Sequence, residues 1–235
     1  MANYWQFSTP RPHAAYLLKF FQKLTFTRSC ELSYPKIAPP KSIVAWDFSD
    51  DVPSNASGTV ILHHDIIPDA TDLLPITQLM EDEYQLGRRS VVLKFCILES
   101  GEIIEHQCHF AKIRLFVIVN NHRKAVDYSQ RLFNHLQTSP AFSTSLVERF
   151  GELMITAQIS GFAIAHYPLW TLGCLLDENW LEEDVLNSML ELQYFRHAAR
   201  STDHSPIFLP TSFFTDAKRL FMRSPQQYSL NIIAL

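Results

Sequence analysis

Residues 90–137 constrain the fold of this chain more than any other stretch, because the hydrophobic period changes within it. Residues 90–98 and 102–110 are strand-like runs joined by Glu99-Ser100-Gly101, a short turn that contains glycine. That pattern predicts a β-hairpin. Residues 113–119 are nearly all apolar, which predicts a further strand buried on both faces. From 122 to 137 the period is helical, with Ala125, Tyr128, Leu132, Phe133 and Leu136 on one side. Ser145-Leu146-Val147-Glu148 has the spacing of a capping box and predicts another helix running towards Ile155. Strands followed by helices predict an α+β fold with a mixed sheet region.

The first 55 or so residues are the least regular. Pro10, Pro12, Pro35, Pro39, Pro40 and Pro53 interrupt helix and sheet, because proline lacks a backbone donor and fixes φ. A short helix is predicted at 14–24, where Leu17, Leu18, Phe20, Phe21 and Leu24 share a face. Residues 59–62 read as strand. The chain contains no internal repeat. Its organisation divides at 165/166, with residues 1–165 an α+β region of unassigned role.

Composition narrows the functional classes. Of 235 residues, 47% are hydrophobic and 19% charged, the balance of a folded globular protein rather than a disordered one. A net charge of −4 supplies no basic footprint for nucleic acid. No apolar run approaches the length of a membrane span, and no secretory leader is visible at Met1. Cys30, Cys96, Cys108 and Cys174 are scattered without a CxxC pair, which predicts reduced thiols in an intracellular protein of nucleus or cytoplasm. No cofactor motif is present: no glycine-rich phosphate loop, no GxSxG and no HExxH.

The most regular helix in the sequence spans 180–199. Leu181, Val185, Met189, Leu192, Phe195 and Ala199 recur at steps of three and four, predicting one continuous apolar stripe that must find cover or stay exposed. Asn179 is placed as its N-cap, and Glu182, Glu183 and Asp184 suit the positive end of the helix dipole. A loop, a short strand at 207–209 and a second helix at 212–222 follow. In order, Leu169-Trp170-Thr171-Leu172, Trp180-Leu181-Glu182-Glu183-Asp184-Val185-Leu186-Asn187 and Thr211-Ser212-Phe213-Phe214 resemble the opening of the ubiquitin-like protease family, cysteine peptidases that cut SUMO-type modifiers from their targets. The family's usual Asn-Asp is Glu182-Glu183 here. The resemblance covers residues 169–221 and implies that 166–235 begin a papain-like cysteine protease domain.

It also implies roles. Trp180 corresponds to the residue that walls the channel gripping the modifier's C-terminal Gly-Gly. Glu183 stands where the family meets a basic patch on the modifier, and Phe213 and Phe214 border that docking surface. Taken singly, each residue also has a structural reading. An aromatic at a helix start packs as a staple, acids in a first turn answer the dipole, and paired phenylalanines fill cores.

The family's catalytic His, Asp and Cys follow these elements, and none is found before Leu235. No catalytic residue is therefore assigned. None of the four cysteines is followed by the glycine of the family's Asp-Cys-Gly, and Cys174 is flanked by Leu175 and Leu176, an apolar setting that keeps a thiol inert. Cys96, His106, Cys108 and His109 lie on the arms of the predicted hairpin. Adjacent positions on a strand face opposite ways, so at most three of them converge, and no metal is assigned. His63-His64-Asp65 diverge for the same reason. Three functional expectations result: an inactive fragment of peptidase ancestry, a non-catalytic module that docks a ubiquitin-like modifier or another protein, and an unrelated globular protein whose helix imitates the motif.

Overall fold

A computed structural model describes residues 18–32, 43–53, 61, 66–96, 101–162, 165–176, 181–199, 210 and 213. The chain divides into two compact units, Met1–Ile155 and Thr156–Leu235. It is an α+β protein. Among the described residues no helix is long and apolar enough to cross a membrane.

Unit 1 is built on a three-stranded sheet and a long helix. The strands are β1 (Ile43–Ser49), β2 (Ser90–Cys96) and β3 (Ile103–His109), in the order β1-β2-β3. Both pairings are antiparallel, so the sheet is not mixed. The hairpin forms with Leu93 opposite His106 and Val91 opposite Cys108. Turn residues 97–100 lie outside the described residues. Alternation makes one face of β2 (Val91, Leu93, Phe95) wholly buried. On the other face Lys94 bridges Asp47 of β1 at 3.0 Å and Glu105 of β3 at 3.6 Å.

Three elements of this unit escape the sequence reading, the short helix Phe26–Cys30 among them. Strand β1 lies in the proline-rich region, where Trp46 and Phe48 alternate with the exposed Asp47 and oppose Leu93 and Val91. Helix α2 (Ala70–Gln85) buries Leu73, Ile76 and Met80 and carries Pro75 inside it. It ends in a Schellman turn: Gly87, at φ 94°, lets Arg88 N–H reach the Glu83 carbonyl at 3.0 Å.

The largest correction concerns residues 113–119. They are not a strand but part of helix α3 (Phe110–Thr138), which runs unbroken for 29 residues. Ile113, Phe116 and Val119 are buried at three-residue steps. An apolar run on a helix has the same sequence appearance as a two-sided strand, and only the surroundings choose. No loop separates β3 from α3. His109 ends the strand and caps the helix, its Nδ1 accepting from Ala111 N–H at 3.1 Å. The reading of 122–137 as helix holds, with Ala125, Leu132, Phe133 and Leu136 buried.

The second half of α3 carries α1 (Phe26–Cys30) and α4 (Thr144–Gly151). Gln130 donates to the carbonyls of Ser29 and Leu32, both at 2.6 Å. Phe26 is fully buried against Phe133 and Phe150. Backbone bonds from Phe26 N–H to Leu153 and from Ile155 N–H to Leu24 tie the two short helices together. The cap of α4 is Ser143, accepting from Leu146 N–H, and not Ser145. A short 3₁₀ turn, Phe21–Lys23, follows helical residues 18–20, where the 14–24 helix was expected; residues 14–17 lie outside the described residues. So do Thr59, Val60 and Leu62 of the expected strand, although Ile61 is buried.

Unit 2 contains a two-residue pairing of β4 (Gln158–Ile159) with β5 (Tyr167–Pro168), a 3₁₀ helix Leu169–Leu176, and helix α5 (Glu183–Ala198). The expected strand at 207–209 lies outside the described residues, as does the helix at 212–222 apart from Phe213.

Candidate functional site

Helix α5 holds Glu183 to Asn187, one part of the motif on which the family resemblance rests. It begins later than the sequence spacing predicts: its N-cap is Glu182, extended at φ −60° and ψ 137°, and its first turn contains Glu183 and Asp184. Glu182 caps through its backbone alone, its carbonyl accepting Leu186 N–H at 3.1 Å. The proposed cap Asn179 lies outside the described residues. The charge arrangement matches the helix dipole at both ends, with Arg196 and His197 in the last turn.

The apolar stripe faces largely outward. Val185 is fully buried, but Leu181, Met189, Leu192 and Phe195 are 38–55% exposed. The buried residues of α5 are Val185, Asn187, Ser188 and Glu191. At about 100° per residue, the buried face is turned roughly 60° from the apolar one. Hydrogen bonding accounts for part of this orientation. Ser188 Oγ lies 2.7 Å from the phenol oxygen of Tyr167, itself 4% exposed, and donates to the Val185 carbonyl at 2.8 Å. A buried phenol left without a partner costs on the order of 1–3 kcal/mol, enough to hold the polar face inward.

Of the four residues singled out from the sequence, the structure places two. Glu183 is exposed on the first turn of α5. Phe213 is a helical residue, 39% exposed, whose N–H donates to the Pro210 carbonyl at 2.9 Å. Trp180 and Phe214 lie outside the described residues.

Burial bears on three of the four thiols. Cys174 is 1% exposed within the 3₁₀ helix, and Cys108 is buried in β3. Burial pushes the Cys30 thiol above its ordinary value, the direction opposite to that of a nucleophile, and its Sγ is 3.8 Å from Asn134 Oδ1. Cys96 pairs with Ile103, three rows from His106, which separates them by roughly 10 Å along the strands. Cys96 also lies on the opposite sheet face from His106 and Cys108, and His109 is engaged in capping α3. Among the described residues no group of three His, Cys, Asp or Glu side chains is arranged to hold a metal ion. His63, His64 and Asp65 lie outside them.

Sequence reasoning missed a cavity of about 550 Å³ in unit 1, bordered by Phe133 of α3, Phe142, and Val147, Glu148 and Glu152 in and just after α4. The only trace of it in the sequence is the four-residue spacing of the two glutamates. Comparison with known protein families, with curated proteins and with solved structures returns no match.

Proposed function

We propose that this chain is a non-catalytic protein-interaction module of the ubiquitin-like protease lineage. In this reading residues 166–235 correspond to the start of a papain-like cysteine protease domain, and α5 docks a SUMO-type modifier. The observation that carries it is the outward disposition of α5. Met189, Leu192 and Phe195 are presented to solvent in a row, Glu183 is exposed in the first turn on another side of the helix, and polar side chains are turned inward. A row of exposed apolar residues has the composition of a recognition surface. Glu183 supplies attraction for a basic patch, and Phe195 supplies apolar contact area. The ordered motif from Leu169 to Phe214 is what directs the choice of partner to a ubiquitin-like fold. Hydrolysis is not part of the proposal: burial pushes the Cys30 thiol up, away from a nucleophile's range, and Cys174 is only 1% exposed.

The test is a titration of isotope-labelled SUMO and ubiquitin with the intact chain at low and moderate salt. Weak, saturable binding is expected, falling as salt rises. Glu183→Lys should weaken it and flatten the salt dependence, and Phe195→Ser should weaken it at every salt concentration. Circular dichroism of each variant verifies that the helix is retained. No shift in either modifier up to millimolar protein would refute docking. Fluorogenic ubiquitin and SUMO substrates should give no turnover above a matched blank; turnover abolished by a single Cys→Ser change would refute the non-catalytic assignment.

A further inference from the structure

We draw no further inference here: the strongest candidate, the groove of about 210 Å³ between the start of strand β1 (Ile43 to Trp46) and the first turns of helix α2 (Thr71, Asp72 and Pro75), is open to solvent with no buried residue in its lining, and nothing in the structure shows what covers it.

Discussion

Helices α3 and α5 carry apolar residues at the same helical spacing, yet one buries them and the other displays them. Along α3, Ile113, Phe116, Val119, Val126, Leu132, Phe133 and Leu136 are hidden from one end to the other. Along α5, Met189, Leu192 and Phe195 are exposed, and Asn187, Ser188 and Glu191 take the inward positions. Periodicity establishes which side chains share a face. It does not establish which face turns inward when a polar group such as Ser188 has a buried partner waiting. The cost of leaving the Tyr167 phenol unpaired competes with the gain from covering a partly exposed leucine, and the two are of similar size.

The sharpest way to break this comparison is to truncate equivalent aromatics. Phe116→Ala should destabilise unit 1 by about 3–5 kcal/mol, through lost burial and the cavity left behind. Phe195→Ser should change stability by no more than ~0.5 kcal/mol, as at other exposed positions. Urea unfolding of both variants measures the contrast, and comparable losses would show that α5 buries its apolar face.

A smaller effect tests what orients α5. Ser188→Ala removes the partner of the Tyr167 hydroxyl and should cost about 1–3 kcal/mol, whereas Tyr167→Phe combined with Ser188→Ala should recover part of that loss, because no buried donor is then left over. The double-mutant cycle, read by thermal or urea unfolding, supplies the coupling. Strict additivity would remove this bond from the explanation.

The smallest effect lies in unit 1 and depends on pH. His122 stacks on Phe21 at 3.7 Å between ring centroids, and burial lowers its pKa to about 4 from an ordinary 6.5. The unfolded chain therefore takes up a proton between pH 6.5 and 4 that the folded chain resists. Stability from the neutral imidazole is fully present above pH 6.5, falls as pH drops towards 4, and falls no further below it. Allowing for solvent reaching the ring, the loss should be about 1–2 kcal/mol. His122→Phe keeps the stacked ring without the titration and should lack that part of the acid sensitivity. Parallel urea curves at pH 7 and pH 4.5 test it, and identical losses in the two proteins would refute it.

The sequence makes the hairpin legible because alternation and a glycine turn fall together, and the 122–137 helix legible because its polar face is well marked. Residues 113–119 mislead because the outward side of the helix there is itself largely apolar, with Ile118 40% exposed, so no polar face marks the helical period. Strand β1 stays hidden among prolines, although Trp46-Asp47-Phe48 alternates as an edge strand should. Helix α2 stays hidden behind Pro75, although Leu73, Ile76 and Met80 have helical spacing. At the candidate site, the exposure of Glu183 follows from its place in a charged first turn. The outward turn of the apolar stripe does not, because it depends on Tyr167, which precedes Ser188 by 21 residues and is met only in three dimensions.

The most direct test of the displayed face is solvent accessibility read at methyl groups. With methyl-labelled Ile, Leu, Val and Met, a neutral soluble paramagnetic chelate should strongly broaden the signals of Met189, Leu190 and Leu192 and leave those of Ile113, Val119 and Val126 almost unchanged. Protection of Met189 and Leu192 to the level of Ile113 and Val119 would contradict the account, and with it the surface on which docking is proposed.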